Sequence, residues 1–351
     1  MTLSALLPTI TPLDATAVAE ATERQGQLTK PAGALGVLEA ASIRLAGIQG
    51  TCPPASLTRP AVAVFAGDHG VHAQGVSPWP QEVTVAMVEN FRAGGAAVNV
   101  LARQAGAEVY VVDVGVAAEL APGGTLIDKK VAPGTQDLRV GPAMTREQAL
   151  AALSAGVEVA NQLIDSGHDC LLTGDMGIGN TTPSAALIAA FTGESAADVT
   201  GRGTGIDDAT FALKVAVVED ALARPRGEDA VDVLASLGGF EHGAIAGFVL
   251  AAAARRVPVI LDGVIAGSAA LVAQALAPLA VDYCFAGHRS VEPGHVLALA
   301  KLGLRPLVDL DLRLGEGTGA ALAFPIVEAA GAVLREMATF DSAGVAKKED
   351  L

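Results

Sequence analysis

Six short apolar runs, each ending in small or acidic residues and separated from the next by alanine-rich stretches, constrain this chain more than any other feature. They are Ala61–Phe65, Val109–Val114, Cys170–Thr173, Val257–Leu261, Tyr283–Phe285 and Pro306–Leu310. Each run is continuous rather than alternating, which suits a strand covered on both faces. Helical crossovers between such strands give an α/β chain with a doubly wound, mostly parallel sheet. The run ends also share a chemistry. Gly67-Asp68-His69-Gly70, Asp113-Val114-Gly115, Gly174-Asp175-Met176-Gly177, Asp262-Gly263 and Gly287-His288 all fall at the carboxyl edge of that sheet, where open α/β sheets bind ligands.

The rest of the composition narrows the function classes. With 51% apolar residues but 3% aromatics, the core is built from Ala, Val, Leu and Ile, and 40 glycines permit close backbone approach. A net charge of -15 argues against nucleic acid as a partner and against an anionic membrane surface. A small anionic substrate stays open, because helix N-termini and glycine-rich turns bind phosphate through backbone N–H groups. Cys52, Cys170 and Cys284 are far apart and form no C-x-x-C pair, which fits a reducing compartment and no thiolate metal site. The first residues lack a basic region and carry Pro8 and Pro12, so they do not read as a secretory signal and a cytoplasmic location is expected. Gly263–Val281 has nineteen residues without a charge, but Ser268, Gln274 and Pro278 mark it as a buried core helix rather than a span. Helices are expected at Ala15–Leu28 and Leu35–Ile48, and the tail from Lys347 is expected to fray.

Four stretches carry candidate chemistry. Gly174–Ala190 (GDMGIGNTTPSAALIAA) runs from a strand through a glycine-rich turn into a helix, with Asn180, Thr181 and Thr182 as cap candidates and Pro183 in the first turn. It matches neither a Walker A loop nor G-x-G-x-x-G, yet it offers N–H groups to a phosphate or ribose. A second turn, Gly201–Asp208 (GRGTGIDD), precedes a helix with Lys214. Either Arg202 or Lys214 could neutralise a phosphate, although a lone helical lysine is often simply solvated. In Leu312–Ile326 (LRLGEGTGAALAFPI), Glu316 lies between Gly315 and Gly317, with Thr318 and Gly319 following. It either caps its own helix or faces a planar ligand as a general base. Finally, Phe65–Arg103 contains Asp68, His69 and His72, read as loop-orienting residues rather than metal ligands, and VSPWPQ (Val76–Gln81), a wall for a flat heterocycle. The turn Ser290–His295 lies at the same edge.

Several long glycine-punctuated blocks occur in one order along nearly the whole chain. They are LTKPAGALGVLE, FAGDHGVHAQGVSPWPQEVT, NFRAGGAAVNVLAR, GDMGIGNTT, GRGTG, SVEPGH, LGLRPLVDLDLRLGEGTGAALA and MATFDSAGV. In these blocks the chain resembles the nicotinate-nucleotide–dimethylbenzimidazole phosphoribosyltransferases of cobalamin lower-ligand assembly. The resemblance implies a Rossmann-like large domain (58–315) and a small helical domain from both chain ends (1–57 plus 316–351). It also implies a homodimer, with nicotinate mononucleotide and a benzimidazole as substrates and no cofactor or metal. Carried over residue by residue, the catalytic glutamate falls on Glu316. The phosphate and ribose turns fall on Gly174, Gly177, Gly179, Asn180 and Thr181, on Arg202, Gly203, Thr204 and Lys214, and on Ser290. The base pocket falls on Ser77, Pro78, Gln81, Met176 and Leu314, beside Gly315, Gly317, Thr318 and Gly319. Where the family pattern often has glutamate, this chain has Asp175; the shorter side chain reaches less far and weakens its claim to a direct proton-transfer role. The other readings are a hydrolase acting on the same nucleotide and a non-catalytic nucleotide-binding regulator.

Overall fold

A computed structural model describes residues 3–203, 205–227 and 229–346. Thr204 and the tail from Lys347, both named above, lie outside the described residues. Seven parallel strands form one sheet in the order β3-β2-β1-β4-β5-β6-β7. They are β1 (Pro60–Gly67), β2 (Glu108–Gly115), β3 (Leu126–Asp128), β4 (Cys170–Met176), β5 (Val259–Leu261), β6 (Cys284–His288) and β7 (Pro306–Val308). All six expected runs are strands. Only β3 was not expected: its three residues are half-buried or exposed at the sheet edge and so carry no continuous apolar signal.

Every residue of β1 and β4 is buried, which explains their unbroken apolar runs. The strand order reverses between β1 and β4, and the crevice above their carboxyl ends is the expected ligand position for such a sheet. Glycine and alanine let the flanking helices approach unusually closely. A Cβ on Gly156, in helix Arg146–Asp165, would lie 1.8 Å from the Ala244 carbonyl oxygen of helix Phe240–Ala254. A Cβ on Gly247 would lie 1.9 Å from the Leu153 carbonyl oxygen, so this interface accepts no side chain at either position. The uncharged stretch Gly263–Val281 forms helix Val264–Leu276 and a 3₁₀ segment, Pro278–Tyr283, and its apolar residues are mostly buried.

Both chain ends pack together. Helices Ala15–Gln27 and Val37–Gln49 meet helix Thr318–Glu336, and Ala21, Leu28, Ala46 and Leu334 form a small buried cluster between them. A backbone bridge from Leu28 to Thr339 closes this unit. By length and composition alone Thr318–Glu336 could cross a membrane, but here it packs on Val37–Gln49 and on the sheet.

Candidate active site

A cavity of about 370 Å³ opens above the carboxyl ends of β4, β5 and β6, beside the β1/β4 crevice. Its volume is that of a site for one or two small ligands. The β1 loop supplies Val76, Ser77 and Trp79, and the helix after it Val83 and Met87. Asp175 to Thr181 come from the end of β4, Gly263 to Ile265 follow β5, and His288, Ser290 and Glu292 come from the end of β6 and the turn after it. Arg202, Gly203, Ile206, Lys214 and the segment Arg313–Glu316 complete the wall.

Glu316 is 6% exposed and one of its oxygens, Oε2, has no hydrogen-bond partner. Burial, and then the charge of Asp262, push its carboxyl up to about 7. Its backbone is left-handed (φ 66), between two left-handed glycines, Gly315 (φ 77) and Gly317 (φ 98). For a non-glycine residue this costs of order 1–2 kcal/mol and persists only where the surroundings enforce it. The helix-capping alternative is excluded, because Asp262 does the capping. Its carboxylate accepts from the N–H groups of Gly317 (3.0 Å), Gly319 (2.7 Å) and Ala320 (3.1 Å).

Asp175 is 4% exposed; its Oδ1 accepts from Asn180 Nδ2 at 3.0 Å, and Oδ2 has no partner. Burial, reinforced by the charges of Asp262, Glu241 and Glu316, raises its carboxyl well above the ordinary carboxylate range. Burial and the neighbouring carboxylates thus disfavour the charged form of Asp175.

Lys214 is not a solvated surface lysine. It is 1% exposed, and its Nζ donates to Thr181 Oγ1 (2.7 Å) and to the Gly201 carbonyl (3.0 Å), tying the two glycine-rich turns together. Burial pulls its pKa down to about 8, with Glu292 acting the other way. A Cβ on Gly203 would stand 3.4 Å from Thr181 Oγ1 and 3.8 Å from the lysine nitrogen, so that bare backbone borders the ammonium. Arg202 lines the cavity, but its guanidinium bonds Asp208 (2.5 Å) and the Ile206 carbonyl (3.0 Å).

The structure brings together Ser77, Asp175, Met176, Gly177, Gly179, Asn180, Thr181, Arg202, Gly203, Lys214, Ser290, Leu314, Gly315 and Glu316. Pro78 and Gln81 lie outside the lining, where Trp79, Val83 and Met87 form the apolar wall instead. Gly174, Gly317, Thr318 and Gly319 stand behind the wall. A Cβ on Gly174 would meet the Glu316 carbonyl at 2.4 Å, and the N–H groups of Gly317 and Gly319 are taken by Asp262, which leaves these positions shaping the turn. Neither Glu292 nor His288 was named as a site residue from the sequence. Glu292 accepts from the Gly203 N–H at 2.7 Å, and His288 is buried with both ring nitrogens lacking a hydrogen-bond partner. Their positions at and after the end of a strand were the available signal. Among the described residues no group of three His, Cys, Asp or Glu side chains is placed to hold a metal. Asp68 and His72 bond loop backbone at Ala117 and Trp79, and His69 pairs with Glu241, in keeping with the orienting role expected of them.

Glycine-rich turns at the carboxyl edge of a parallel sheet, a buried lysine joining them and an unpartnered carboxylate oxygen at the same cavity fit a nucleotide-handling transferase. In agreement, residues 10–345 match a phosphoribosyltransferase family model. The nicotinate-nucleotide–dimethylbenzimidazole phosphoribosyltransferase of Salinispora tropica is 59% identical, over 99% of this chain and 100% of its own. That of Chloroflexus aggregans is 57% identical over 97% of each chain. A crystal structure of the Thermus thermophilus enzyme of the same name superposes with a TM-score of 0.92 at 49% identity, over 95% of this chain and all of that one. The chain belongs to the nicotinate-nucleotide–dimethylbenzimidazole phosphoribosyltransferase family.

Proposed function

We propose that this enzyme transfers the phosphoribosyl group of nicotinate mononucleotide to 5,6-dimethylbenzimidazole or a related base, giving α-ribazole 5'-phosphate and nicotinate for cobalamin assembly. The observation that carries the reading is Glu316: a buried carboxylate with a partnerless oxygen, raised to about 7, on the wall of an otherwise largely apolar cavity. The phosphate sits against Gly177–Thr181, Gly203 and Lys214, where backbone groups and one buried cation meet. The flat base lies against Trp79, Met87, Met176 and Leu314.

In nicotinate mononucleotide the ring bonded to C1' is a cationic pyridinium, so it departs with the bond electrons as the neutral pyridine ring of nicotinate and needs no proton. One ring nitrogen of the benzimidazole forms the new bond to C1' from the opposite face, which inverts that carbon to the α-configuration. The other ring nitrogen loses its proton to Glu316, directly or through a water. A base with a pKa near the working pH is the most effective for this step. Asp175, whose shorter side chain is held by Asn180 and whose charged form burial disfavours, leaves the base role to Glu316. The reaction as drawn calls for no cofactor or metal, since no pyrophosphate departs.

Three finer assignments rest on resemblance and support: a homodimer, a cytoplasmic location, and division into residues 58–315 and a small helical domain of 1–57 plus 316–351. The packing of both chain ends around Ala21, Leu28, Ala46 and Leu334 supports the last. The test measures nicotinate release from nicotinate mononucleotide with and without dimethylbenzimidazole. Transfer requires release that depends on the acceptor. Release without acceptor would mark a hydrolase, and binding without turnover a regulator.

A further inference from the structure

We infer that Asp262, at the carboxyl end of β5, is the positioning residue of the Glu316 base: its carboxylate fixes the turn that aims Glu316 into the cavity. The inference rests on the reading of Glu316 as the base. Asp262 is fully buried, and its two oxygens accept the N–H groups of Gly317, Gly319 and Ala320 at 3.0, 2.7 and 3.1 Å. These three donors belong to the N-cap and first turn of a 19-residue helix, whose positive end faces the Asp262 carboxylate. The backbone N–H of Asp262 donates to Thr173 Oγ1 (2.9 Å), which anchors the residue to β4.

What Asp262 holds is a turn that carries backbone strain at Glu316. Three consecutive residues, Gly315, Glu316 and Gly317, are left-handed. Gly317 is pressed so closely that a Cβ would lie 2.8 Å from Val62 and 3.1 Å from the Thr173 carbonyl. The Glu316 carbonyl lies against Gly174 on the other side. The strained residue is therefore clamped between β1, β4 and the carboxylate of Asp262, as expected where strain serves orientation.

The groups facing this pair come from each neighbouring element. Asp175 comes from β4; His288, from β6, places Nε2 3.8 Å from Asp262 Oδ1. Lys214, Glu292 and Arg313 line the cavity. The first turn of helix Thr318–Glu336 carries no acidic residue. Asp262 is thus the charge that the turn itself is built on, and its effect on Glu316 is to make proton uptake easier.

The test is the pH dependence of kcat at saturating concentrations of both substrates, so that bound base and nucleotide are the same for every protein compared. Wild type rises through an acidic limb, and Glu316→Gln loses turnover and the limb. In Asp262→Asn, where an amide replaces one acceptor oxygen, the plateau falls at least about 10-fold and the limb moves down by roughly 1 pH unit. In Asp262→Glu, which keeps the charge and misplaces it, the plateau falls while the limb stays. A merely structural aspartate would lower the plateau in both variants without moving either limb. An unmoved limb in Asp262→Asn, or a wild-type plateau, overturns the inference. Should Asp262→Asn not fold, a displaced limb or full plateau in Asp262→Glu overturns it equally. Full turnover in Glu316→Gln would instead remove the reading on which the inference stands.

Discussion

Replacing Glu316 by Gln keeps the side chain's shape and its left-handed backbone while removing the titration. Two effects of opposite sign follow. Turnover falls by about 100- to 10,000-fold, the usual contribution of a general base. Stability rises, because a carboxyl lifted from 4.5 to about 7 binds its proton more tightly in the folded than in the unfolded chain. Between those values the wild-type fold loses stability as pH increases, and above pH 7 the whole loss is present. At 1.36 kcal/mol per pH unit it amounts to about 3 kcal/mol, and screening by the open cleft reduces it to about 1–2 kcal/mol. The variant should therefore melt at nearly the wild-type temperature at pH 5 and about 1–3 °C higher at pH 8. Scanning calorimetry at both pH values, with nicotinate release assayed alongside, checks both effects. Unchanged turnover, or a melting difference equal at the two pH values, would refute the reasoning.

Lys214→Met removes the ammonium that joins the two turns, and the KM for nicotinate mononucleotide should rise about 10- to 100-fold with a smaller change in kcat, as measured by initial rates. Trp79→Ala strips the apolar wall on the base side, and the KM for dimethylbenzimidazole should rise about 10-fold while the nucleotide KM holds; equal effects on both would place the base elsewhere. Gly156→Ala forces a methyl group to within 1.8 Å of the Ala244 carbonyl oxygen, and denaturant unfolding should show a loss of about 1–3 kcal/mol or more.

Six of the seven strands read as unbroken apolar runs, because β1, β4, β5 and β6 are wholly buried and β2 and the edge strand β7 keep apolar residues although they are only partly buried. The seventh, Leu126–Asp128, pairs only along one side at the edge and needs no such run. Glu316 stood out because two glycines around a carboxylate have few purely structural uses, and the turn proves to need φ above zero at all three positions. The role of Asp262 was not legible, since its three bonds join residues 55 or more positions apart and only the fold brings them together. The same holds for Lys214, whose burial depends on Gly201 and Thr181 closing over it. Glu241 between His69 (2.9 Å) and His242 (2.8 Å) is a further case: burial, which would raise the glutamate, is outweighed by the two imidazoles, and nothing local in the sequence announces the pairing. Pro78 and Gln81 were read from a motif of which Val76, Ser77 and Trp79 border the cavity.

The most direct measurement is a crystal structure of the protein with dimethylbenzimidazole and nicotinate mononucleotide bound. A Glu316 carboxylate oxygen should then lie within hydrogen-bonding reach of a ring nitrogen, about 2.6–3.2 Å or one water away, with the phosphate beside Lys214. A heterocycle lodged away from Glu316, with that side chain turned to solvent, would contradict the assignment of Glu316 as the base.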